Sequence, residues 1–124
     1  METTAQQQAN FNFRAVTIAD LDTIIKLYQE QKKEKSKLNQ HFGLPLLVAE
    51  LNDKIVGYSY ASNSNSNVYQ LKTYIDTAFE HYFLQENLIQ KSELLLKEKG
   101  KNLVHKNLDS SITRLINWLN YSYS

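Results

Sequence analysis

Three histidines, His41, His81 and His105, are the side chains of this sequence best suited to ligate a metal or move a proton near neutral pH. They are scattered along the chain with no paired spacing, so ordinary solvated or packed roles are expected and no metal site is predicted. Ser110 and Ser111 follow His105 closely, a nucleophile and a base on paper. No glycine-bounded elbow would present such a serine, so these hydroxyls read as helix caps. Lys32, Lys33, Lys35 and Lys37 form a run that suggests phosphate binding. Glu34 sits inside it and no aromatic is interleaved, so it reads as a solvated face. Asp20 and Asp22 suit the positive end of a helix. Tyr58, Tyr60, Tyr69 and Tyr74 would line a cleft wall or pack on sheet faces if their strands pair. Trp118, on the polar side of the last apolar stripe, reads as a partner contact or a satellite-core residue. The chain has no cysteine, which excludes disulfides, thiolate catalysis and thiolate-bound zinc.

The positioning elements must fit within 124 residues, of which 42% are hydrophobic and 22% charged. Such a chain suits one globular domain, expected over residues 11–124 after a polar, disordered lead-in at residues 1–10. Fourteen basic and thirteen acidic side chains give +1, too balanced for a nucleic-acid or acidic-lipid surface. The longest apolar stretch, Leu44–Leu51, is interrupted by Pro45 and Glu50 and is far short of a membrane span. With no apolar leader, a cytoplasmic protein is expected.

Phe11, Phe13 and Ala15 alternate with Asn12 and Arg14, as in a half-buried strand. Thr17 and Asp20 form a capping pair, with the hydroxyl expected to accept from an orphan amide. Leu21, Ile24, Ile25 and Tyr28 then repeat at helical spacing to about Gln31. Residues 46–51 and 54–61 are strand-like runs joined at Asn52-Asp53, where left-handed backbone is tolerated. Ile55, Gly57, Ser59 and Ala61 are expected on one face, Val56, Tyr58 and Tyr60 on the other. The polar tract Ser62 to Asn67 reads as a loop. Residues 68–83 fit either a strand or a helix by period. Leu88, Ile89, Ser92, Leu95 and Leu96 make a helical stripe that Gly100 would cap. Leu103 and Val104 suggest a short strand. A last helix, with Ile112, Leu115, Ile116 and Leu119 on one side, is expected to start at Asp109 or Ser110. The order β-α-(α)-β-β-?-α-β-α implies a mixed α/β domain.

Several strings in this order resemble the Gcn5-related N-acetyltransferase (GNAT) superfamily, particularly its phosphinothricin-acetyltransferase-like branch. They are Phe13-Arg14-Ala15-Val16, Asp20-Leu21-Asp22 and Leu47-Val48-Ala49-Glu50. Lys54-Ile55-Val56-Gly57-Tyr58-Ser59-Tyr60-Ala61-Ser62 and Tyr74-Ile75-Asp76 follow. The family opens with an Arg-x-Ala strand and an Asp-Leu helix start. A valine-alanine-glutamate, turn, glycine-tyrosine hairpin comes next, and a tyrosine-valine-aspartate-like tripeptide ends its fourth strand. The resemblance spans about residues 11–121 and favours a strand for residues 68–75. It implies an α+β fold with a mainly antiparallel sheet flanked by helices.

The resemblance also implies a cofactor loop after the fourth strand: Arg or Gln, two residues, Gly, one residue, Gly or Ala. Glycines there let backbone amides approach the acetyl-CoA diphosphate at a helix N-terminus. The counterpart here is Glu80-His81-Tyr82-Phe83-Leu84-Gln85, followed by Glu86. Glu80 replaces the basic or amide residue, and Phe83 and Gln85 replace the glycines. The bend after Ile75 is therefore expected to lack both room and suitable charge for a diphosphate. The cofactor-facing candidates are Tyr74, Ile75, Phe83, Leu84, Gln85, Asn87 and Leu88. Gln70 occupies the family's general-base position, where an amide cannot take a proton at neutral pH. Leu115 and Ile116 stand where relatives place a tyrosine or histidine in the last helix. Asn120-Tyr121 replaces a terminal glycine-phenylalanine.

The last strands of the family are missing after residue 121, so an open sheet edge is expected, covered by a second copy or another protein. These departures imply a GNAT-like module with a degenerate loop, non-catalytic or weakly active, with no resident cofactor. The alternative is an atypical N-acetyltransferase moving acetyl from acetyl-CoA to a small-molecule or protein amine. The third reading is a truncated subunit that needs a partner's strands.

Overall fold

A computed structural model of the chain describes residues 11–32, 38, 40–63, 69–99 and 105–122. The lead-in at residues 1–10, the lysines at residues 33–37 and the core of the serine–asparagine tract lie outside the described residues. So do Gly100, Leu103 and Val104, and the side chains of Lys32, Glu80, His81, Tyr82 and His105.

Among the described residues, four strands form one antiparallel sheet in the order β1-β2-β3-β4. They are β1 (Asn12–Ala15), β2 (Leu44–Leu51), β3 (Lys54–Asn63) and β4 (Tyr69–Ile75). Alternation that is ambiguous in β4 resolves as strand because Tyr58, Ser59 and Tyr60 of β3 pair with Tyr74, Thr73 and Lys72. Asn52 and Asp53, both left-handed at φ 53° and 66°, turn β2 into β3. The expected mixed α/β class is the observed one, with helices on both faces of an antiparallel sheet.

Helix α1 (Leu21–Lys32) and helix α3 (His105–Ser122) cover one face. Leu21, Ile24, Ile25 and Tyr28 of α1 pack there with Leu108, Ile112, Ile116 and Leu119 of α3. Helix α2 (Leu84–Lys99) covers the other face, joining Leu84 and Leu88 to Leu47, Ala49 and Val56. Its middle is tied to the sheet by a buried hydroxyl pair, Ser59 with Ser92. Each fully buried aliphatic side chain contributes about 2 kcal/mol by leaving water.

Two local expectations are corrected. Along β3, the register passes from Ala49–Gly57 to Glu50–Ile55, leaving Val56 as an extra residue. That bulge moves Val56 into the α2-facing core and sends Ile55 toward Tyr58 and Tyr60 on the opposite face, so strict alternation fails there. The last helix begins at His105, not at Asp109 or Ser110, which lie inside it. Leu108 is fully buried and extends the Ile112–Ile116 stripe by one turn, and this burial outweighs the preference of Asp and Ser for a cap. Thr17 and Asp20 form the expected capping box, in which the Thr17 hydroxyl also donates to the Asp20 carboxylate and the Asp20 amide bonds the Thr17 carbonyl. The carboxylate is the stronger acceptor, and it also takes the Thr17 amide.

The capping aspartate has a second role. Asp20 and Glu50 both bind Arg14, so residues six and 36 positions away meet at one guanidinium. At the other end of α1, Asn120 of α3 clamps the main chain of Leu38. Its amide oxygen accepts from the Leu38 amide and its amide nitrogen donates to the Leu38 carbonyl, both at 3.0 Å.

Candidate functional site

The site forms where β4 ends. Gly57 of β3 lies opposite Ile75, and a Cβ on it would meet Ile75 Cδ1 at 2.8 Å and the Tyr74 carbonyl at 3.0 Å. Only glycine allows this approach. Beyond Ile75, the Asp76 amide donates to the bulged Val56 carbonyl at 2.8 Å and the chain then leaves the sheet. Asp76 Oδ1 accepts from the Ala78 amide at 3.0 Å and starts the 3-10 turn Thr77–Tyr82. Phe83 closes that turn in the left-handed region, at φ 57° and ψ 30°. Its carbonyl accepts from the Asn87 amide and from Asn87 Nδ2, which opens α2. The amides of the first turn of α2 have no acceptor within the helix by geometry, and the helix dipole lies behind them.

A cleft of about 640 Å³ opens between these pieces. Leu27, Glu30 and Gln31 of α1 form one wall, and Thr73, Ile75, Asp76 and Thr77 form the second. Leu84 and Gln85 close it at the start of α2. Gln31 Nε2 reaches across to the Ile75 carbonyl at 3.0 Å. Helix α1 stands off from β4 here, so open space lies after Ile75. The cleft is acidic, whereas Glu80, on which the expected charge rested, lies outside the described side chains. Glu30 and Asp76 are the charged lining residues, and no lysine or arginine lines the cleft among the described residues.

Of the residues singled out from sequence, Ile75, Leu84 and Gln85 line the cleft together. Phe83 is beside it, 61% exposed. Asn87 is exposed and engaged with Phe83, and Leu88 is fully buried under the sheet. Tyr74 turns into the core, where it stacks on Tyr60 at 5.2 Å and meets Tyr28 edge-on at 5.6 Å. Gln70 is exposed opposite Ser62, at the far end of β4 from the cleft. Tyr58 and Tyr60 are core residues too, and burial pushes both phenols well above their ordinary range. The Tyr58 hydroxyl is buried without a hydrogen-bond partner. His41 is exposed in the turn Gln40–Phe42. Trp118 is 44% exposed on α3, and Leu115 and Ile116 pack inward.

Sequence reasoning missed Leu27, Glu30, Gln31, Thr73 and Thr77, and Asp76 had no assigned role. Their chemistry depends on α1 facing β4 across 40 or more residues of chain. Nothing in the local pattern separates Glu30 and Gln31 from a solvated helix end.

Among the described residues, no three His, Cys, Asp or Glu side chains group as metal ligands, and no helix is long and apolar enough to cross a membrane.

No protein-family model and no curated protein matches the chain. Among solved structures, it resembles a GNAT family acetyltransferase from Brucella melitensis in complex with acetyl-CoA, with a TM-score of 0.56. The match covers 75% of this chain and 72% of that one, at 18% identity. The fold is therefore GNAT-like.

Side chains, not glycines, stand at positions 83 and 85, and two carboxylates line the adjacent cleft. One carboxylate about 4 Å from a phosphate charge costs about 4 kcal/mol at a surface-like dielectric, before salt screening.

Proposed function

We propose that this GNAT-like domain is a ligand-binding or assembly module, non-catalytic or weakly active as an acetyltransferase. The carrying observation is the acidic cleft at the end of β4, lined by Glu30 and Asp76 with no cation among the described residues. Its polar groups and apolar floor suit a bound small group, whereas its charge opposes a diphosphate. The strings around Arg14, Gly57 and Asp76 support kinship with the phosphinothricin-acetyltransferase-like branch.

A thermal-shift titration of the full chain with acetyl-CoA tests this reading. A ligand that binds only the folded state adds about 2.7 kcal/mol at one hundred times its dissociation constant. The expected result is no rise in midpoint at millimolar acetyl-CoA. Micromolar binding in calorimetry, with amine turnover abolished by Gln85→Trp, would overturn it.

One observation favours a second reading, an atypical N-acetyltransferase acting on a small-molecule or protein amine. Phe83 holds the left-handed backbone that a glycine would supply, so the first turn of α2 keeps its amides directed outward. The same titration decides between the two.

Partnering is part of the proposal. β1 and β4 are the outer strands of the sheet, and a second copy or another protein would cover one outer edge. Light scattering after size exclusion tests it, and a clean monomer at all concentrations counts against a homodimer.

A further inference from the structure

We propose that the cleft at the end of β4 binds an alkylguanidinium group, an inference that rests on reading the domain as a ligand-binding module. The walls present acceptors and few committed donors. Gln31 uses its Nε2 on the Ile75 carbonyl, so its Oε1 is the end left to accept. Asp76 commits Oδ1 to the Ala78 amide and leaves Oδ2. Glu30, one residue before Gln31 on the same wall, is exposed and has no ion-pair partner among the described residues. The acceptors thus come from both walls and include two carboxylates with no cation between them among the described residues. Leu27 adds apolar surface on which a short methylene chain can lie.

A guanidinium matches this arrangement better than an ammonium does. It is a flat fork of five N–H donors with no acceptor, weakly hydrated and always charged. Its donors point in several in-plane directions, so acceptors from more than one side can share it. An ammonium concentrates three donors at one strongly hydrated point and reaches fewer of them. The bound group is held and not transformed, since no bond to it forms or breaks.

The test is a titration of the ¹⁵N-labelled full chain, followed by amide resonances, with Nα-acetyl-arginine amide and its lysine and citrulline counterparts. Citrulline keeps the shape of arginine and removes the charge. The expected result is saturable shifts at the Gln31 side-chain amide, Asp76 and Thr77 with the arginine compound. Binding should be about tenfold weaker for citrulline and at least about threefold weaker for lysine. Glu30→Gln, an exposed change that leaves the fold intact, should weaken arginine binding about fivefold. A short peptide with one internal arginine distinguishes a protein source from a free small molecule, and tight binding of either supports the guanidinium class. Equal binding of citrulline or lysine, shifts elsewhere on the surface, or no saturation by about 10 mM would overturn the proposal. Failure here leaves the acetyl-CoA result untouched, and acetyl-CoA turnover would refute the module reading without altering the guanidinium titration.

Discussion

Arg14 and Asp20 meet in a two-bond fork, Nη1 to Oδ2 at 2.7 Å and Nη2 to Oδ1 at 2.8 Å. The second nitrogen also reaches Glu50 at 2.9 Å, so one guanidinium joins β1, the start of α1 and β2. Asp20 is 6% exposed, which makes an unpaired charge there costly. Arg14→Met should therefore destabilise the chain by about 2 kcal/mol in urea denaturation. The fork holds the Asp20 carboxyl at about 2, below its ordinary 3.8, against the opposing effect of burial. The Arg14 hydrogen bond lowers Glu50 as well. A depressed folded-state pKa adds stability above the unfolded value, and that stability is lost as pH falls from about 4 toward about 2. Asp20→Asn should flatten this acid limb, leaving the smaller Glu50 share.

The Ser59–Ser92 hydroxyl pair, 2.6 Å apart, is buried between β3 and α2, and Ser59 Oγ also accepts from the Leu47 amide at 3.2 Å. Ser59→Ala strands both partners and should cost about 2–3 kcal/mol. Ser92→Ala strands only one hydroxyl, which keeps the Leu47 bond, and should cost about 1 kcal/mol. The double variant should be less destabilised than the sum, and a double-mutant cycle measures the coupling.

Gly57→Ala places a methyl 2.8 Å from Ile75 Cδ1 and 3.0 Å from the Tyr74 carbonyl. The side chain can move, but the carbonyl belongs to the sheet. An expected loss of about 2 kcal/mol comes with displacement of β4 at the cleft. Chemical denaturation reads the first effect, and amide shifts at Ile75 and Asp76 read the second.

Phe83 holds a left-handed conformation while 61% exposed. Such backbone costs a bulky residue about 1–2 kcal/mol, and glycine occupies it freely. Little burial is lost on truncation, and the greater freedom of glycine in the unfolded chain offsets part of the gain. Phe83→Gly should raise stability by about 0.5–1 kcal/mol, measurable as a higher melting midpoint. A lower midpoint would show that the phenyl ring contributes packing that outweighs the strain.

Much of the fold was legible because its signals are local. The stripe Leu21, Ile24, Ile25, Tyr28 and the left-handed pair Asn52-Asp53 depend on neighbours a few residues away. The chemistry of the site was only partly legible: Ile75, Leu84 and Gln85 were singled out, while Glu30 and Gln31 were not.

By itself, the sequence determined the helical and extended segments, the absence of thiol chemistry and the side chains at positions 83 and 85. Tertiary structure decided that the Val56 bulge swaps faces, that Arg14 joins two acids far apart along the chain, and that α1 stands off from β4 around an acidic cleft. The physical reason is range. A period of two or 3.6 residues is written within one segment, but a cleft between three segments exists only once the sheet and helices have packed.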